Sequence, residues 1–131
     1  MIVVDASVLA PALADDGIDG AIARERLRGE EIAAPELLDL EVASSWRRAV
    51  RLGHLDARRV ALALGDLADL PVARAPHGPL LARVWELREN LTVYDAAYVA
   101  LADLLGVALL TADGRLARAP GVPCPVELLG A

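Results

Sequence analysis

The sequence predicts an α/β fold: a three-layer α/β/α sandwich around a central parallel sheet of four to five strands. Two observations carry this reading. Short apolar runs alternate along the whole chain with longer stretches of helical periodicity, and that alternation implies parallel strands whose crossover helices cover both faces of a sheet. Two of the runs also stop at an aspartate. Ile2-Val3-Val4 ends at Asp5, and Val107-Ala108-Leu109-Leu110-Thr111 is closed by Asp113-Gly114. Open α/β sheets place their ligands at the carboxyl ends of strands, so two aspartates on that rim suggest a divalent-metal site.

The elements follow in order. Residues 2–5 are a β-branched run and form the first strand. Residues 7–13 form a short helix, with Pro11 tolerated only in its first turn. Asp15-Asp16-Gly17 is a turn, and residues 18–27 are helical, with Ile18, Ala21, Ile22 and Ala23 as the apolar face. Residues 31–34 make a weak second strand. Pro35 opens a long helix over 36–52, stopped by Gly53, with Leu38, Val42, Trp46, Ala49 and Val50 as its buried stripe. Asp56 caps a helix that runs to about residue 70, and residues 71–74 are a third strand. Residues 79–89 are helical, with Leu80, Leu81, Val84, Trp85 and Leu87 apolar. Thr92 caps a helix that Gly106 ends. Residues 107–111 are the fourth strand, a short helix follows Gly114, and a last strand lies near 125–128.

The chain has 131 residues, enough for one domain, 1–131, with a real core. No run approaches the ~18 apolar residues of a membrane span, and the N-terminus lacks the pattern of a signal peptide. A single cysteine, Cys124, has no internal partner; it fits a reducing, cytoplasmic setting. All 13 basic residues are arginine and the net charge is −6, which argues at first sight against nucleic acid. Arg47, Arg48, Arg51, Arg58 and Arg59 nevertheless cluster, and phosphate contacts need local rather than total charge. Taken alone, that cluster reads as a solvated helix face.

Four carboxylates stand out by position. Asp5 and Asp113 end strands. Glu41 borders the buried stripe of the long helix. Asp95 opens the helix Tyr94-Asp95-Ala96-Ala97-Tyr98-Val99-Ala100-Leu101-Ala102, which is apolar almost all round and so interior. Each has a plain structural reading: Asp5 as a helix cap, Thr92 with Asp95 as a capping box, Asp113-Gly114 as a turn, Glu41 as an exposed edge. The order strand–Asp, helix–Glu, helix–Asp, strand–Asp is more specific than any one of them.

Four segments in this order resemble the PIN-domain ribonucleases, and within them the VapC toxins of bacterial toxin–antitoxin pairs. They are Ile2-Val3-Val4-Asp5-Ala6-Ser7-Val8-Leu9, Pro35-Glu36-Leu37-Leu38-Asp39-Leu40-Glu41-Val42, Thr92-Val93-Tyr94-Asp95-Ala96-Ala97-Tyr98 and Leu110-Thr111-Ala112-Asp113-Gly114-Arg115-Leu116. The resemblance implies that Asp5, Glu41, Asp95 and Asp113 form an acidic quartet, with Ser7 and Thr111 as polar neighbours. It implies a metal-dependent endoribonuclease toxin whose products carry a 5′-phosphate and a 3′-hydroxyl. It further implies a small VapB-like antitoxin whose C-terminal segment crosses the site, where the acids should attract a basic side chain near Asp5 and Asp95. A homodimer is expected from composition: an Ala- and Leu-rich chain leaves apolar helix surface uncovered, on the helices at 18–28, 36–52 and 56–70. The runner-up is a catalytically silent PIN-like module that acts by binding a partner.

Elementary electrostatics agrees with the quartet. Neighbouring carboxylates repel and raise each other's pKa values, and a hard cation relieves this. Mg²⁺ suits oxygen ligands and retained waters, and Mn²⁺ substitutes. Asp5, Asp95 and Asp113 are expected as ligands, direct or through water, with Glu41 on a second metal or positioning the water. Other chemistries lack their residues. There is no Gly-x-Gly-x-x-Gly, no P-loop lysine and no zinc ligand set. Ser7 has no nearby histidine to activate it. A phosphoaspartate enzyme wants a second aspartate where Ser7 stands, and a response-regulator domain wants a lysine. His54 and His77 lie outside every motif and read as surface histidines.

Overall fold

Strand β1 (Ile2–Val4) lies at the centre of the sheet, so all three of its side chains are buried. The structure is a computed structural model and describes residues 1–130. Ala131, the last position of the expected domain, lies outside the described residues. β2 (Ile32–Pro35) pairs with one side of β1 and β4 (Leu109–Thr111) with the other. β3 (Ala73–Ala75) and β5 (Val126–Leu128) complete the two edges. The order is β3-β2-β1-β4-β5, and every pairing is parallel.

Helices α1 (Ala6–Ala14) and α2 (Ile18–Leu27) connect β1 to β2, and α3 (Leu37–Arg51) and α4 (Ala57–Asp69) connect β2 to β3. A 3₁₀ turn (Gly78–Leu80), α5 (Leu81–Glu86) and α6 (Val93–Leu105) lead back across the sheet to β4, and α7 (Gly114–Ala117) leads on to β5. The chain therefore builds outward in one direction through β3, then reverses. Right-handed crossovers put α1 to α4 on one face and α5 and α6 on the other. α1 packs on α2, α3 and α4, while α6 packs on α5 and on β1, β2 and β4. This is the three-layer sandwich expected. Among the described residues no helix is long and apolar enough to cross a membrane.

The caps fall where the side chains require them. Asp56 accepts from the Arg58 N–H at 2.7 Å and Thr92 from the Asp95 N–H at 3.1 Å. Gly106 ends α6 at φ +68°, a conformation that L side chains rarely adopt. Seven consecutive residues of α6, Ala96 to Ala102, are buried, so the interior position expected from its composition holds.

Several local expectations are corrected. Asp5 caps α1 and starts it at Ala6, which carries Pro11 past the first turn into the helix interior. Ile18 and Ile22 are exposed and only Ala23 of that apolar set is buried, because α2 presents little more than one side to α1. The 79–89 segment is not one helix: Pro79 sits in the 3₁₀ turn, α5 is short, and Leu81 and Trp85 face solvent. The third strand starts later than expected, because the chain turns at Val72, whose N–H bonds the Leu70 carbonyl at 2.8 Å. His77 is not idle. Its Nε2 accepts from the Leu37 N–H at 2.9 Å, capping α3 where Glu36 supplies no side-chain bond.

Candidate active site

The sheet changes direction of growth between β1 and β4, and a crevice opens beyond the carboxyl ends of strands at such a switch point. Asp5 follows β1 directly, and Thr111 ends β4 with Asp113 two residues on. The β-strand rule that places ligands on this rim thus acts on both aspartates picked out in the sequence.

Asp5 is 7% exposed and Thr111 is fully buried. One Asp5 oxygen, Oδ1, accepts from the Ser7 backbone N–H at 3.1 Å and from the Ser7 hydroxyl. The other, Oδ2, accepts from the Thr111 hydroxyl at 2.6 Å. Ser7 Oγ also accepts from the Ala112 N–H at 2.8 Å, and Thr111 Oγ1 accepts from the Asp113 N–H at 3.0 Å. The two hydroxyls therefore lace the start of α1 to the end of β4. Burial is the largest influence on Asp5 and pushes its pKa up to about 6; the hydroxyl bonds act against it and the Asp95 charge adds to it.

Glu41 is half-buried on the second turn of α3. Its Oε1 accepts from the Tyr98 hydroxyl of α6 at 2.6 Å, across the end of the sheet. Burial raises its pKa, the Tyr98 bond opposes this, and the Asp95 charge raises it further. The Tyr98 hydroxyl is pushed well above the usual tyrosine range, by burial and then by the bond to Glu41, so it stays a donor. Asp95 is thus the electrostatic hub of the quartet: its charge is felt at Asp5 and Glu41, and one guanidinium joins it to Asp113. Arg115 Nη2 lies 3.1 Å from Asp95 Oδ2 and 3.2 Å from Asp113 Oδ2. Asp113 Oδ1 meanwhile caps α7 by accepting from the Arg115 N–H at 2.9 Å.

A profile of the PIN-domain family matches residues 2–122. The chain belongs to the PIN-domain family. Ribonuclease VapC1 of Mycobacterium tuberculosis is 45% identical over 128 residues, 97% of this chain and 96% of the relative. Ribonuclease VapC9 of the same organism is 45% identical over 132 residues, covering 98% of each. Among solved structures, the VapC20 toxin of M. tuberculosis, which cleaves the sarcin-ricin loop, superposes with TM-score 0.69 over 89% of this chain and 93% of that one. At 17% identity that match speaks for the fold alone.

For this PIN domain the ligand question rests on the donor set. All four acids offer hard oxygen donors, with two hydroxyls beside them and no histidine or cysteine, a set suited to Mg²⁺ or Mn²⁺. Burial is the main cause that disfavours charge at Asp5 and Glu41, and the Asp95 charge adds to it; a bound cation would offset both. Among the described residues, however, no three acidic, histidine or cysteine side chains already stand as ligands for one ion. Hydroxyls and a guanidinium engage the four acids instead: two hydroxyls on Asp5, Tyr98 on Glu41, and Arg115 on Asp95 and Asp113.

Two residues of this network were missed by sequence reasoning. Tyr98 lies three residues after Asp95, hence on the same helical face, and that spacing was available as a signal. Arg115 sits two residues after Asp113, but nothing in the sequence tells that its side chain reaches back to α6.

Proposed function

We propose that this PIN domain is the toxin of a VapC-type toxin–antitoxin pair and hydrolyses RNA phosphodiester bonds with Mg²⁺ or Mn²⁺. The observation that carries this reading is 45% identity over nearly the whole chain to named ribonucleases, and it is supported by the Asp95 charge acting on both Asp5 and Glu41 and by Asp5 standing at the β1/β4 switch point. Asp5, Asp95 and Asp113 are the residues that would hold the metal, with Glu41 on a second ion or on the attacking water. When bound, the metal would supply a polarised water and charge stabilisation on the attacking and leaving oxygens.

The chain's own residues supply the rest. Ser7 and Thr111 fix both oxygens of Asp5, so its carboxylate is held before the metal arrives. Tyr98 aims Glu41, whose raised pKa makes it a stronger base for a water proton. Water attacks phosphorus in line and gives a proton to Glu41, the bond from phosphorus to O3′ breaks, and the departing O3′ takes a proton from solvent. The products carry a 5′-phosphate and a 3′-hydroxyl.

A small VapB-like antitoxin is the proposed partner, with a basic side chain directed at Asp5 and Asp95. A homodimer is proposed from the apolar residues left exposed on the helices, Ile18 and Leu62 among them. Identity of 45% to named ribonucleases favours the ribonuclease reading over a silent binding module.

The test is cleavage of a defined RNA by purified, partner-free protein, with and without chelator, followed by analysis of the product ends. Cleavage that needs divalent metal and leaves 5′-phosphates supports the reading. A 2′,3′-cyclic phosphate product, or cleavage undiminished by chelator, contradicts it.

A further inference from the structure

The arginines of this chain divide sharply. Seven of them pair with a carboxylate. Arg47, Arg48, Arg51 and Arg58 do not; among the described residues their side chains have no acidic or hydrogen-bonding partner, and all four are exposed. These four sit together where α3 ends and α4 begins. Arg24 bonds only the Ala12 and Asp15 carbonyls, and Arg118, beyond α7, stands exposed without a partner among the described residues. In a chain of net charge −6, four of the five arginines that lack a side-chain partner among the described residues are gathered at the tip of one hairpin.

That tip is in line with the site. Arg48 follows Glu41 by seven residues, two helical turns, so the two share a face of α3 about 10 Å apart along its axis. Ser44 and Ser45 lie exposed between them. Asp56, which caps α4 by accepting from the Arg58 N–H, sets one carboxylate beside these four guanidinium groups and pairs with none of their side chains. Arg59 is spent on Asp16. The only indole or phenol ring in the hairpin, Trp46, is buried with its Nε1 on the Ala10 carbonyl at 3.1 Å, so no such ring is offered to stack on bases.

We propose that the α3–α4 hairpin is the phosphate track of this PIN domain. Arg47, Arg48, Arg51 and Arg58 hold the backbone of single-stranded RNA as it leaves the carboxylates along the outer face of α3. A line of exposed cations without stacking rings suits a polymer of regularly spaced phosphates, and it reads charge rather than base sequence. The inference rests on the ribonuclease reading but names residues which that reading leaves unassigned.

The experiment measures binding of a fluorescein-labelled single-stranded oligoribonucleotide by anisotropy, with chelator present to stop cleavage, across a NaCl series. The proteins are wild type, Arg48→Gln/Arg51→Gln, Arg47→Gln/Arg58→Gln and a control, Arg28→Gln/Arg88→Gln, which removes the same charge elsewhere. Each single-strand phosphate contact adds about 0.7 to the slope of log affinity against log salt. Each hairpin pair is therefore expected to flatten the slope by about 1.4, the control to leave it unchanged, and lysine at the same positions to restore it. Circular dichroism confirms that the exposed replacements leave the fold intact. Slopes equal to the control's overturn the proposal. Metal-dependent cleavage by wild type alongside unchanged slopes rejects the hairpin alone; wild type that neither binds nor cleaves RNA rejects the ribonuclease reading with it.

Discussion

Thr111 donates its hydroxyl to Asp5 Oδ2 at 2.6 Å, tying the end of β4 to the residue that follows β1. Both residues are buried, so no water stands ready to replace the bond. Thr111→Val keeps the shape and removes the donor. The expected cost is about 1–3 kcal/mol of stability at neutral pH, the penalty for an unsatisfied buried acceptor. The bond lowers the Asp5 pKa, so its loss moves that pKa further up. The cost should therefore fade once acid protonates Asp5. Urea unfolding at neutral and acid pH checks this; equal costs at both would contradict it.

Asp5 itself makes metal-free stability depend on pH. Its folded pKa, about 6, lies above the ordinary value of 3.8. The native state thus binds the proton more tightly than the unfolded chain. This contribution is fully present below about 3.8 and is lost as pH rises through about 6. Its size is on the order of 2–3 kcal/mol. Asp5→Asn should remove that slope and raise thermal stability above pH 7 in chelator, while abolishing cleavage. A variant that melts lower than wild type throughout would contradict the cost assigned to burying the Asp5 charge.

The Tyr98 hydroxyl lowers the Glu41 pKa while burial and Asp95 raise it. Tyr98→Phe deletes only the hydroxyl, so Glu41 should titrate at higher pH. The acid limb of the pH–rate profile is expected to move upward, with a lower kcat and little change in KM. An unshifted limb would remove Glu41 from the proton path.

Much of this was legible in the sequence, for identifiable reasons. Asp5 and Asp113 stand beside apolar runs that can only be buried strands, and Asp95 heads a helix with no polar face, so strand ends and interior helix could be read directly. The caps at Asp56 and Thr92 are local chemistry, set by residues two or three apart. What was hidden depends on contacts between distant segments. His77 caps a helix forty positions away, and Tyr98 meets Glu41 across fifty-seven. Trp85 and Leu81 looked like core because their spacing is helical, yet the segment buries Leu80, Val84 and Leu87 and leaves these two on its solvent side.

Arg115 holds Asp95 and Asp113 through one nitrogen, so a cation that binds these carboxylates has to displace a guanidinium. Arg115→Gln should bind Mn²⁺ more tightly than wild type in calorimetry, with almost no change in metal-free melting, because the side chain is mostly exposed. Weaker Mn²⁺ binding by the variant would show that Arg115 organises the acids instead of competing for them.

The central claim is that the carboxylates of the β1/β4 switch point form one metal-dependent centre, with Asp95 as its hub. Its most direct test is a Mg²⁺ titration of RNA cleavage by partner-free wild type and Asp95→Asn, with Mn²⁺ binding to each followed in parallel. The account predicts saturable, metal-dependent cleavage by wild type, and loss of both cleavage and tight metal binding in the variant. Cleavage by Asp95→Asn at the wild-type rate and the same metal concentration would contradict it.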